Sequence, residues 1–218
     1  MSSRITTETF LEAFVEAETA HRDALQAVYK TRPARTRLML DRGGVLNDVC
    51  RRLESRLGLG LEYKKEWYTI DALFVSGEEL RYEAGSTERH GHRLWYPSRL
   101  DVLIEHENDE MIEEEMWKLL FWRAGLKVLI AYDYCDDEHA ERTRIGKHQF
   151  AKGEWAPRKL DKLRQMYREV HSHRKTTDAE YLLLLGNRES WTGDSRVKWR
   201  WCRIDDERHA LCPLSVAV

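Results

Sequence analysis

The stretch "LDVLIEHEND", residues 100–109, decides how the rest of the chain is read. "LDVLI" has the apolar character of a buried strand, yet its end carries Glu105 and Glu107 on either side of His106. Period-two geometry puts Asp101, Leu103, Glu105 and Glu107 on one strand face and turns the His106 side chain to the other. Two carboxylates side by side at a strand end repel each other unless a positive group sits between them. Immediately afterwards the period changes. "NDEMIEEEMWKLLFWRAG", residues 108–125, opens on the cap residues Asn108 and Asp109 and has acids in its first turns. It carries a core stripe of Ile112, Met116, Leu119 and Leu120 and stops at Gly125, which is the chemistry of a helix start and end. "LKVLIAYDY", residues 126–134, is then a continuous apolar run suited to a central strand. Strand, helix and buried strand in such short order predict a crossover with parallel pairing.

On the N-terminal side, "ETFLEAFVEAETAHRDALQAVYK", residues 8–30, has apolar residues at 11, 14, 15, 25, 28 and 29. That spacing predicts an amphipathic helix that needs a partner surface in the same chain or in a second subunit. Pro33 in "TRPARTR" is expected to break it. A further helix, "VLNDVCRRLESRL", follows Gly43 and Gly44 and ends at Gly58, where a C-terminal cap is expected. "LEYKKEWYTIDALFVSG", residues 61–77, and "LWYPSRLDVLIEHE", residues 94–107, read as strands joined by the polar excursion "EELRYEAGSTERHGHR".

On the C-terminal side, Pro157 suits a helix start, and Leu160, Leu163, Met166, Tyr167 and Val170 give that helix an apolar face. "EYLLLLGN" and "VKWRWCRID" read as strands, the second with Trp199 and Trp201 on one face and Lys198, Arg200 and Cys202 on the other. The predicted architecture is α/β, with a helical N-terminal extension over residues 1–35 and an α/β domain over residues 36–218.

The chain has 218 residues, 34% charged and 42% apolar, with a formal net charge of -2. This is the balance of a globular protein with no global basic field, so any nucleic-acid affinity must come from local charge. No apolar run approaches the roughly 20 residues that cross a bilayer, and "MSSRITTETF" lacks the apolar core of a signal peptide. The four cysteines, Cys50, Cys135, Cys202 and Cys212, have no CxxC spacing and read as reduced thiols of a cytoplasmic protein without a zinc site.

Asp71, in "YTIDALF", also lies on a strand. If its strand neighbours that of Glu105 and Glu107, three carboxylates converge at one end of a sheet. Hard divalent cations such as Mg²⁺, with Mn²⁺ as a substitute, take oxygen ligands of this kind, and the backbone carbonyl of His106 could add another. The plainer alternative is an edge strand whose acids discourage pairing.

A strand-borne Asp, a second strand with Glu-x-Lys, a helix and a buried strand form the layout of the PD-(D/E)XK nuclease superfamily, which residues 44 to 134 resemble. The resemblance implies a restriction-endonuclease-like mixed central sheet flanked by helices, with an α-β-β-β-α-β type core. It implies that Asp71 and Glu105 bind the metal, with an acid on the preceding helix, Asp48 or Glu54, completing the site. The departure is Glu107, which stands where that family usually keeps a lysine and could orient a water, accept its proton or bind metal. The missing charge could come from Lys118, in the way of superfamily members whose lysine has migrated. Glu114 and Lys118, spaced i, i+4, could equally pair on a solvated face. Glu110, Glu113 and Glu115 are assigned to that solvated or dipole-favoured face.

A phosphodiester cleft needs cations around it. Residues 141–175 hold eleven Lys or Arg against four acids, among them Lys147, Lys152, Arg158, Lys159 and Lys162. Arg89, His90, His92 and Arg93, between the acid-bearing strands, are a second candidate contact set. Each group could also be an ordinary solvated surface. Together these readings predict a Mg²⁺-dependent endonuclease acting on DNA, with RNA also possible, in a restriction or anti-phage role. A homodimer through the N-terminal helices would allow both strands to be cut. The alternatives are a catalytically silent nuclease fold that binds nucleic acid and a protein-interaction module.

Overall fold

A computed structural model of the chain describes residues 4–29, 31–76, 80–82, 95–97, 100–107, 111–133, 155–172, 179–187 and 199–214. Four helices come first: α1 (Thr7–Ala20), α2 (Arg22–Val28), α3 (Arg32–Leu40) and α4 (Val45–Leu57). The expected single helix over residues 8–30 is therefore two, divided at His21. Pro33 does not break a helix but stands in the first turn of α3, where its missing N–H costs nothing. Gly58 caps α4 in the left-handed region, as its position predicts. Gly44 has a different reason to be glycine: a Cβ there would lie 2.2 Å from the Leu38 carbonyl oxygen.

Strands β1 (Leu61–Trp67) and β2 (Ile70–Ser76) form a hairpin where the sequence reads as one strand. The connection is Tyr68–Thr69, which carries none of the Gly or Asn that ordinarily marks such a turn. β3 (Leu80–Tyr82) and β4 (Trp95–Pro97) pair as a separate two-stranded sheet. The expected strand over residues 94–107 is thereby divided, its second part being β5 (Val102–His106). Then follow α5 (Ile112–Phe121), β6 (Leu126–Asp133), α6 (Trp155–His171), β7 (Glu180–Asn187), β8 (Trp199–Arg203) and β9 (Cys212–Pro213).

The main sheet has seven strands in the order β1-β2-β5-β6-β7-β8-β9. β5, β6 and β7 are mutually parallel in sequence, and the remaining neighbours are antiparallel. The crossover expected from residues 100–134 is thus present: β5 leads through α5 to the parallel β6. The sheet is mixed and covered on both faces, an α/β arrangement.

Each face has its own core. On one, α1, α3 and α4 cover Ala72, Phe74, Ile104, Val128, Ile130 and Leu184. Phe10 and Phe14 of α1 are fully buried there, Phe14 meeting Trp199 edge-on at 5.0 Å. The apolar face of α1 thus finds its partner surface in the same chain. On the other face, α5 and α6 cover Leu73, Leu103, Leu129, Leu183 and Cys202. Alternation along β8 sends Trp199 and Trp201 to the first face and Cys202 to the second. Cys50, Cys202 and Cys212 are free thiols. Among the described residues no helix is long and apolar enough to cross a membrane.

Candidate metal centre

Alternation along β2 sends Ala72 and Phe74 to the helical face containing α1, leaving Asp71 with Leu73 and Val75 on the α5 face. Along β5 the same rule places Glu105 with Leu103 on that face and Ile104 and His106 on the opposite one. β2 and β5 are hydrogen-bonded neighbours, paired through Ala72 and Ile104. This register brings the two acids together, and the backbone N–H of His106 donates to Asp71 Oδ2 at 2.8 Å.

The third acid comes from α5. Oxygens of Asp71, Glu105 and Glu115 all lie within 4.8 Å of one another, a set that could hold a metal ion. Glu115 was expected on a solvated face. The corrected placement has a signal in the sequence: Glu115 lies three residues after Ile112 and four before Leu119, within the helix's own buried stripe. Lys118, one turn further on, lies with its Nζ 3.6 Å from Glu105 Oε2 and 2.5 Å from Glu115 Oε2. Its ion-pair partners are these two acids and not the Glu114 that the i, i+4 spacing suggested. Glu113 points elsewhere, towards Lys159 and Lys162 of α6, at 2.7 and 3.2 Å.

Glu105 is fully buried, and neither of its carboxylate oxygens has a hydrogen-bond partner. Burial first, and then the neighbouring Glu115 and Asp71, push its pKa far above the carboxylate range, against the pull of Lys118. Asp71 is also raised by burial, opposed by the His106 N–H and by Lys118. Burial works against the Lys118 ammonium, but the hydrogen bond to Glu115 and the charges of Glu105, Glu115 and Asp71 more than offset it, and its pKa rises. The site is a desolvated anionic cluster with one ammonium group at its edge.

Asp48 is not part of it. It projects from α4, on the other side of the sheet, and pairs with Arg51 and Arg52 at 3.1 Å and with His21 at 3.7 Å. Glu54, the other acid on that helix, accepts the backbone N–H of Leu61. The reason is the α4 apolar stripe of Val45, Leu46, Val49 and Leu53, which faces α1 and the first core. Glu107 follows the last residue of β5, its N–H donating to the Ile130 carbonyl at 2.8 Å, and it is absent from the three-acid set. The His106 ring lies on the opposite face, its Nε2 2.9 Å from the Tyr132 hydroxyl. Burial and the nearby Arg35 push its pKa down to about 3, so the ring is neutral.

Of the expected nucleic-acid contacts, Arg158 is exposed on α6, while Lys159 and Lys162 pair with Glu113. Arg89, His90, His92, Arg93, Lys147 and Lys152 lie outside the described residues, as do the cap candidates Asn108 and Asp109. No family model matches the chain, and no curated protein or solved structure matches it either.

Proposed function

We propose that this protein is a divalent-metal-dependent endonuclease that hydrolyses DNA phosphodiester bonds, built on a restriction-endonuclease-like core. The observation that carries the proposal is Glu105: a fully buried carboxylate without hydrogen-bond donors, facing Asp71 and Glu115 across no more than 4.8 Å. Three carboxylates so close in a desolvated place are costly unless a cation joins them. The donor set is all oxygen, which suits Mg²⁺ or Mn²⁺, and its span is close to the roughly 4 Å between opposite ligands at about 2.1 Å bond length. Acids on neighbouring strands, followed by a helix crossing to a parallel strand, match the layout that the PD-(D/E)XK resemblance implies.

When bound, a divalent cation would supply charge that polarises the scissile phosphoryl group and acidifies water. The chain's own residues have distinct roles around it. Asp71 and Glu105 hold the ion and Glu115 completes the set. The His106 carbonyl remains a candidate backbone ligand, because its amide is turned towards Asp71. Lys118 places a positive charge beside Glu105, where it can stabilise the negative charge that develops during attack at phosphorus. It takes the place of the lysine missing at position 107, and Glu107 has no part in holding the ion.

The test is nicking of supercoiled plasmid in Mg²⁺ or Mn²⁺ by wild type, Asp71→Ala and Glu105→Ala. Loss of a ligand should cost more than the 10–100-fold typical of an outer-shell partner. Equal nicking by all three proteins sinks the site. Salt-sensitive DNA binding by a wild type that never nicks favours the silent binder instead.

A further inference from the structure

The β1–β2 turn and the end of α5, in the elements that carry Asp71 and Glu115, hold three aromatic rings in mutual contact. Tyr68 is 81% exposed, more than any other exposed large apolar side chain among the described residues. It sits in the two-residue β1–β2 connection with φ 54, a left-handed conformation that side chains with a Cβ disfavour. Beneath it, Trp67 and Trp122 are half-buried against the α5-side core. Trp67 meets the Tyr68 ring edge-on at 4.7 Å, and Trp122 lies 5.3 Å from Trp67 and 6.3 Å from Tyr68. The two indoles prop the tyrosine from below while most of its surface stays open.

This ledge is continuous with the acid cluster through both of its elements. Tyr68 precedes Asp71 by three residues, about 10 Å of extended chain at most. Trp122 follows Lys118 by one helical turn, about 6 Å along the axis, and shares its side of α5 with Glu115. The ledge is therefore within reach of a nucleotide whose phosphate lies at the carboxylates. Among the described cations, Lys118 is engaged with Glu105 and Glu115 and Lys159 and Lys162 with Glu113, while Arg123, next to Trp122, is exposed. An open tyrosine ring at this edge offers an uncharged contact to the face of a base.

We propose that Tyr68, propped by Trp67 and Trp122, stacks on a nucleobase next to the scissile phosphate, so that the substrate is single-stranded or locally unpaired DNA. The inference rests on the reading of the acid cluster as a phosphodiester-cleaving centre. Bases within a duplex have both faces covered by their neighbours, and only an unpaired or extruded base can present one to a ring. Every base has such a face, so the contact confers a preference for unpaired strand without sequence preference.

The test is fluorescence anisotropy of labelled oligothymidylate and of a duplex of the same length, with the full chain in Ca²⁺. Wild type should bind the oligothymidylate more tightly than the duplex. Tyr68→Ala should weaken oligothymidylate binding by roughly tenfold or more, with Tyr68→Phe close to wild type and duplex binding unmoved. An exposed side chain is removed, so an unchanged melting curve verifies that the variant is folded. If Tyr68→Ala binds oligothymidylate as wild type does, or if wild type prefers the duplex, the stacking proposal is overturned. Should the same protein still nick plasmid in an Asp71-dependent way, the nuclease reading survives that result. If wild type binds neither probe and nicks nothing, both proposals fall together.

Discussion

Arg35 and Glu105 sit on opposite faces of one sheet, and both are withdrawn from water, at 1% and 0% exposure. Their surroundings differ completely. Arg35 donates to the Tyr29 carbonyl at 2.6 Å, and its guanidinium lies 4.0 Å from the Tyr132 ring centre and 5.1 Å from that of Tyr29. Lys127, buried on the same face as Glu105, donates to the Tyr181 hydroxyl at 2.6 Å and stands over its ring. Glu105 is the one buried carboxylate among the described residues with no hydrogen bond to either oxygen. Removing an ion from water costs several kcal/mol, and this chain offsets that cost with specific partners for Arg35 and Lys127. Glu105, beside two further acids, accepts no hydrogen bond and meets the Lys118 ammonium only at 3.6 Å. A fully buried carboxyl so weakly compensated is where function is expected, because stability alone would have removed it.

The contrast can be broken by mutation. The largest expected effect is that of Arg35→Ala, which strips the partner from the Tyr29 carbonyl and empties the space between two rings. It should destabilise the protein by about 3–5 kcal/mol in urea unfolding. Glu105→Gln should act in the opposite direction without divalent ions, stabilising by about 1–3 kcal/mol, or several degrees in Tm.

The pH dependence of that second variant sharpens the point. The folded-state pKa of Glu105 is raised, so the folded protein keeps a proton that the unfolded chain releases above about pH 4.3. Wild-type stability therefore falls as pH climbs above that value, and the advantage of Glu105→Gln should grow with pH and vanish in acid. A Gln variant that is less stable than wild type in metal-free buffer at pH 8 would remove Glu105 from the class of functional costs.

The smallest effect is expected from Lys118→Met, about 1 kcal/mol or less of lost stability, because Lys118 is a third exposed and solvent screens its pairs. Its loss should be far more visible in plasmid nicking. If Lys118→Met destabilises as strongly as Arg35→Ala, the lysine is a structural counter-ion like its buried counterparts.

The crossover from β5 through α5 to β6 was legible from residues 100–134 because each element announces itself by a change of period over its own length. Asp71 and Glu105 were legible for the same reason: alternation along two strands puts each acid on a definite face. Glu115 is an acid inside the Ile112–Met116–Leu119 stripe, but acids are so common in the first turns of helices that the stripe alone does not single it out. The Tyr68 hairpin could not be seen, since a tyrosine in a left-handed turn gives none of the composition by which turns are recognised.

What the sequence determined by itself is therefore local: the period within strands and helices, the cap at Gly58, and the face each side chain takes along its own strand. The side of the sheet on which a helix lies was decided only by tertiary structure, and with it the fate of Asp48. That acid has the right order in the chain for the candidate metal centre, yet α4 buries its stripe beneath α1 and carries Asp48 to the far face. The physical reason is range. Periodicity is imposed by neighbours a few residues apart, whereas the meeting of Asp71, Glu105 and Glu115 depends on strand order and helix placement settled by contacts across the whole chain.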